Sequence, residues 1–434
     1  MTFILRGRIL TFKDLPQSAT DSSAYLYLED GALIIAEKKI VALDEFNKIT
    51  GKGIQLPVID HRPNLILPGF IDLHNHFPQL QIIGSFGTQL MDWLQNYTFP
   101  EESKFSNTAY AKKTAKEFVD TLLNHGTTTT VSFGSVHAES VEALFSEANA
   151  RNMCLICGKV MMDRNAPRTV LDTVQSSYDQ SKALIGNWHE RNRLKYAISP
   201  RFAITSSPGQ LEVAGSLARE NPSCLIQTHL SESNEEIELT MSLFPDHKNY
   251  LDIYARYGLT GRRSLFGHAI HLTEYEQSHM LETQSVAVHC PTSNLFLGSG
   301  LFDLKNLTRQ GIRTGIATDT GGGTSFSMLK TLDEAYKIQQ LQNYSLSPLS
   351  SFYWATLGNA KAIGLENEIG TLAIGSFADL IVLDSRSTSL SELRMRSCDS
   401  LFEELFVLQT LGDDRAIKEV YIAGKKIKEL NGFR

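Results

Sequence analysis

The chain has 434 residues, of which 42% are hydrophobic and 21% charged, with a formal net charge of −7 and a pI near 6.0. That length exceeds a usual single domain, and that balance belongs to a folded globular protein rather than a disordered or fibrous one. The acidic charge and the lack of any Lys/Arg run argue against a nucleic-acid or anionic-membrane partner, each of which asks for a basic patch, so a small-molecule substrate is expected.

The opening stretch MTFILRGRILTF sets arginines among its apolar residues and has no small-residue cleavage site, so it does not read as a secretion signal. No apolar run approaches the ~18 residues of a membrane span. Residues 1–67 carry alternating stretches, TFILRGRILTF and GALIIAEKKIVALD, that read as strands, with turns expected at EDGA and NKITGKG.

Next comes PGFIDLHNHFPQL, residues 68–80. On a strand, His74 and His76 point the same way roughly 6–7 Å apart, which suits two imidazoles converging on one ion. With 12 histidines in the chain, one such pair by chance is unsurprising, and the spacing needs context.

Between residues 69 and 340, short β-branched runs alternate with segments of helical period. Strands are expected at 70–76, 127–136, 153–162, 195–204, 224–233, 264–270, 285–290 and 313–321. Eight strands with intervening helices predict an α/β fold, a (β/α)8 TIM barrel over 68–369 whose active site lies at the C-terminal ends of the strands. Cys154 and Cys157 form a C-x-x-C with no second pair and read as buried strand residues. The five scattered cysteines make no disulfide framework and suit a reducing cytoplasm. Residues 370–434 contain GTLAIGSFADLIVLD and IKEVYIAGKKIKEL, which read as strands again, so a small β-sandwich composed of both chain termini (1–67 and 370–434) is expected beside the barrel.

Laid on these strands, His74 and His76 end the first, Arg201 lies in the fourth, His229 and Glu232 end the fifth, His268 the sixth and Asp319 the eighth. All fall on the catalytic rim. His74, His76, His229 and Asp319 make a donor set for one zinc ion with a position left for water, whose pKa such an ion lowers from about 15.7 to about 7. Glu232 is expected to shuttle a proton, and Asp319 to accept one from the water. The plain alternative for Glu232 is a solvated loop glutamate beside Glu235 and Glu236. His268 is either a further ligand or, preferred here, a donor that holds the attacking water, while His137, His271 and His289 read as structural. Gln79 and Arg201 can engage the polar edge of a purine, and Trp93 and Phe202 its face. Pairing of Arg201 with a loop carboxylate, and Trp93 as core filler, stand as alternatives.

PGFIDLHNHFPQ, THLSE, CPTSNLFLGSG, GIATDTGGGTSFSML and the closing GTLAIGSFADLIVLD resemble the amidohydrolase superfamily, specifically its metal-dependent aminohydrolases. With WLQNYTFPEE, GKVMMDRNAP, SPRFAITSS and YGLTG, the chain is similar nearly end to end to the guanine deaminase family. The resemblance implies hydrolytic deamination of guanine to xanthine and ammonia on one Zn2+ per chain, in a cytosolic homodimer serving purine catabolism. It implies that zinc-bound hydroxide attacks C2 and that Glu232 protonates N3 and helps expel ammonia. Substrate contacts implied are His76, Phe77, Pro78, Gln79, Trp93, Arg201, Phe202, His229, Glu232 and Asp319. The rivals are other aminohydrolases acting on pterins or triazines, a non-catalytic barrel scaffold, and a two-metal amide or cyclic-imide hydrolase. This last needs a bridging lysine, for which Lys159 is the one candidate.

Overall fold

The computed structural model describes residues 2–427 apart from 19, 52, 88 and 89, so the end of the expected strand stretch 417–430 lies outside the described residues. The first flank forms β1 (Phe3–Phe12), β2 (Tyr25–Ala36), β3 (Lys39–Glu45) and β4 (Val58–Pro68). The middle of the chain forms β5 (Phe70–His76), β6 (Thr127–Phe133), β7 (Cys154–Gly158), the short β8 (Val160–Met161) and β9 (Leu194–Pro200). There follow β10 (Leu225–Leu230), β11 (Ser264–His268), β12 (Val286–His289) and β13 (Arg313–Ile316), and the last flank adds β14 (Leu380–Leu383), β15 (Ile417–Ile422) and β16 (Lys425–Lys426).

β5, β6, β7 and β9 to β13 pair in sequence order, all parallel, with helices between them, as the eight expected strands required. Several end earlier than expected: the fourth stops at Pro200 and the eighth at Ile316, so Arg201 and Asp319 sit just beyond the ladder, on the rim. The helix Thr108–Asn124 shows what holds the outer layer. Ala111, Ala115, Phe118, Val119 and Leu122 recur on one face and are buried in the main core, each large side chain stabilising the fold by roughly 1.5–3 kcal/mol.

The barrel closes between β5 and β13 through side chains. The Asn359 amide donates to Ile71 O (2.7 Å) and Ile316 O (2.8 Å) and accepts from Ile316 N (3.0 Å), and Asp72 accepts from Thr318 N (3.0 Å). Within β5 the register slips between Asp72 and Asn75. A bulge of this kind reverses the inside–outside alternation. Ile71 and Leu73 lie in the apolar cluster of the barrel interior, and past the slip His74 reaches over the bare Cα of Gly267 on β11.

Both termini share one seven-stranded sheet, ordered β16-β15-β14-β4-β1-β2-β3, in which only the β1–β4 pair is parallel. Its residues alternate by period two: Leu65, Leu67, Ile381 and Leu383 join the barrel core, while Ile66, Leu380 and Val382 join a separate cluster with Leu5, Ile9 and Leu33. The turn expected at EDGA is absent, because Glu29–Ala32 run inside β2. Gly31 pairs with Gly7, and a Cβ on Gly31 would come within 2.7 Å of Ile9, so this glycine serves close packing. The turn falls instead at Glu37 and Lys38, both at positive φ, and NKITGKG begins in the helical turn Phe46–Thr50. Of GTLAIGSFADLIVLD only Leu380–Leu383 forms a strand, Phe377 adding an isolated bridge to Lys39, and residues 389–411 hold two helices, Ser389–Met395 and Leu401–Leu411.

Candidate active site

The rim brings the predicted donors together. His74, His76 and His229 offer nitrogens that lie within 4.8 Å of one another, and His74, His268, Cys290 and Asp319 form an overlapping group by the same measure. Asp319 Oδ1 is 3.4 Å from both His74 Nε2 and His76 Nε2, and His76 Nε2 is 3.2 Å from His229 Nε2. His229 donates Nδ1–H to the carbonyl of Arg201 at 2.7 Å, which leaves its Nε2 lone pair turned toward the other imidazoles. Phe133 stacks on His76 with ring centroids 4.7 Å apart. Cys290, which sequence reasoning did not single out, instead directs its thiol to Val288 O.

Burial suppresses protonation of His76, to about 3 despite Asp319, and holds His229 well below the usual histidine range, so both present neutral lone pairs. Burial raises the Asp319 carboxyl, but the His74 and His76 imidazoles, each 3.4 Å away, outweigh it and hold the group well below the usual carboxylate range. Glu232 goes the other way: burial, then the Asp319 charge, push it up to about 8. Ser299 donates to Glu232 Oε1 at 3.1 Å, and His268 Nε2 lies 3.4 Å from Glu232 Oε2 and 3.7 Å from Asp319 Oδ2. His268 is held from behind by Asn294, whose Oδ1 is 2.9 Å from Nδ1. The backbone N–H of Glu232 donates to Glu236 at 2.6 Å, and Glu236 also completes the capping box of the next helix, so the loop bearing Glu232 is tied down. Ser231, His268, Ala269 and Asp319 all adopt positive φ, uncommon for residues with a Cβ and typical of strain gathered at a site.

A cavity of about 370 Å³, open mouth included, lies beside these groups. Gln79, Arg201, Trp93 and Phe202 line it, as do Leu94 and Leu297. Arg201 does pair with a carboxylate, that of Glu102 at 3.0 Å, which ends a short helix and does not lie in a loop, yet Arg201 still faces the cavity, and Trp93 is both buried and a wall of it. Phe77 is a correction. Its ring packs on Phe105 and Phe118 in the core, because the 3-10 turn after β5 points it outward, and Pro78 is buried at the start of that turn; neither lines the cavity. Lys159 is engaged by Asp172 in a buried ion pair. His289 stacks on Phe302 and His271 donates its Nε2–H to Ser299 O at 2.8 Å, both outside the donor set. Glu102, Asn294 and Ser299 went unassigned in the sequence; they stand in FPEE, CPTSN and LGSG, where residue type alone signals nothing.

The chain is 48% identical over 414 residues to the "Guanine deaminase" of Escherichia coli (strain K12), covering 94% of each. Its fold matches the solved "E. coli Guanine Deaminase" with a TM-score of 0.96 at 46% identity, covering 99% of this chain and 100% of that one. It also matches guanine deaminase from C. acetobutylicum, solved with bound guanine in the active site, with a TM-score of 0.87 at 30% identity, covering 99% of this chain and 100% of that one. The amidohydrolase family is matched over residues 65–427, from the end of β4 past β16, and the chain belongs to that family.

Proposed function

We propose that the chain is a guanine deaminase that holds one zinc ion through His74, His76, His229 and Asp319 and hydrolyses guanine to xanthine and ammonia. The observation that carries this reading is the convergence of those four buried donors beside Gln79, Arg201 and Glu232. It is supported by the guanine deaminase relatives, one of them solved with guanine bound. The donors suit the ion: neutral imidazole nitrogens and one carboxylate are what zinc takes. Buried His74 Nε2 has no hydrogen-bond partner among the described residues, a cost that a cation on its lone pair removes. When bound, such an ion makes water acidic enough to react as hydroxide near neutral pH.

The remaining work falls to side chains. Arg201 and Gln79 hold the polar edge of the purine, and Trp93 and Phe202 cover its faces. Glu232, protonated below about 8, gives its proton to ring N3 as water adds to C2. Asp319 takes a proton from that water, and His268 steadies the oxygen. Cleavage of the bond from C2 to its amine leaves a carbonyl at C2; of the two water protons, one ends in effect on N3 and the other on departing ammonia. We further infer a cytosolic homodimer in purine catabolism; five free cysteines suit a reducing compartment, and light scattering of the purified chain tests the dimer.

The zinc-loaded chain is expected to turn guanine into xanthine with equimolar ammonia. Glu232→Gln should keep about one zinc per chain and lower kcat about 10³-fold. No guanine turnover alongside turnover of another aminated ring, or close to two metal ions per chain, would reassign the activity.

A further inference from the structure

Glu102 ends the short helix Phe99–Glu102, between β5 and the helix Thr108–Asn124, with its side chain 0% exposed. Its Oε1 accepts from Gln79 Nε2 and from Arg201 Nη1, both at 3.0 Å. It does not line the cavity; the two residues it holds do.

A carboxylate oxygen only accepts. The Gln79 amide must therefore turn its NH2 to Glu102, which leaves its carbonyl oxygen as the group for a ligand. Beside an ambivalent partner the two amide orientations differ little, whereas here the wrong one would set oxygen against oxygen in a buried site. Gly321 clears the other side: a Cβ there would come within 2.4 Å of Gln79 Cβ and 2.7 Å of Gln79 Oε1. The Arg201 guanidinium, 4% exposed, needs a counter-charge at this depth, and Glu102 supplies it at the expense of one N–H.

We propose that Glu102 is a positioning residue that sets the direction in which the recognition edge is read, an inference that rests on the guanine reading above. It fixes a hydrogen-bond acceptor, the Gln79 carbonyl, beside the donor fork of Arg201. A 6-oxopurine offers the complement, a ring N–H beside a carbonyl. A 6-aminopurine offers a bare ring nitrogen beside an NH2, which meets acceptor with acceptor and donor with donor. Groups left unpaired in this way are what give polar sites their discrimination.

The test compares guanine with 2,6-diaminopurine, which share the 2-amino group and differ along that edge. In Glu102→Gln the new amide either donates or accepts, so Gln79 is free to turn over. The ratio of kcat/KM for guanine over diaminopurine should fall about tenfold or more, through a raised KM for guanine, with bound metal unchanged. Glu102→Asp, still an acceptor only, should recover most of the ratio. A ratio unmoved in Glu102→Gln, whatever the absolute rates, overturns the proposal. If that variant fails to fold, Gln79→Met decides: an unmoved ratio there removes the reader and the proposal together, and a fallen one supports it. Wild-type protein that does not turn over guanine defeats the underlying functional reading instead, and is a separate outcome.

Discussion

Glu232 and Asp319 are both buried carboxyl groups on one rim, and their surroundings push them in opposite directions. Two imidazoles hold Asp319 ionised, while Glu232 has burial and the Asp319 charge against its ionisation. A general acid acts in its protonated form, present below its pKa and lost as pH rises through it. The kcat/KM for guanine should therefore decline about tenfold per pH unit above a limb at or below about pH 8, since a bound cation favours the carboxylate and moves the limb down. A pH profile flat to well above that value would remove Glu232 from the acid role. Gly267 offers a second test. A Cβ there would lie 2.4 Å from His74 Cε1 and 2.7 Å from its Nδ1, so Gly267→Ala should displace the imidazole and reduce bound metal about tenfold or more, read by metal analysis of the dialysed protein. The convergence of His74, His76, His229 and Asp319 was legible because histidines and an aspartate at the ends of apolar barrel strands have little reason to be there except for chemistry. Glu102 was not: it meets Arg201 across 99 residues, and in FPEE it looks like any helix-surface glutamate.

The elements were legible by period. β-branched runs separated by helical segments gave eight parallel strands, and β5 was expected to within the residue. What periodicity does not carry is irregularity. The slip in β5 lets Leu73 and His74 both contribute to the interior, and no residue type announces it. The seam is similar: Asn359, in a short helix far along the chain, completes the ladder between β5 and β13. Asn359→Leu should leave two carbonyls and one N–H buried without partners and cost about 2–4 kcal/mol, measured from the midpoint of urea unfolding. A loss below about 0.5 kcal/mol would mean the seam is held by packing alone.

At the scale of the molecule, the terminal sheet is bound to the bottom of the barrel. Arg193, just before β9, pairs with Asp379 just before β14, and Asp379 also accepts from Ala423 N at 2.8 Å; all three are buried. Asp379→Ala should destabilise the protein by about 3–5 kcal/mol, because Arg193 would be left charged and unpaired. Since the pair lies at the opposite end of the strands from the cavity, kcat of the folded fraction should stay within about twofold; a matching collapse of kcat would show the sheet acting on the site. The sequence by itself determined the eight parallel strands of the barrel, the composite character of the terminal sheet and the residues able to ligate, because periodicity and residue chemistry are local properties written in order along the chain. The tertiary structure alone decided which way each side chain faces at a bulge, what plugs the seam, which of the two rim carboxyls burial pushes toward its protonated form and which glutamate stands behind Gln79 and Arg201. Those depend on burial and on contacts between residues remote in sequence, and neither has a period to read.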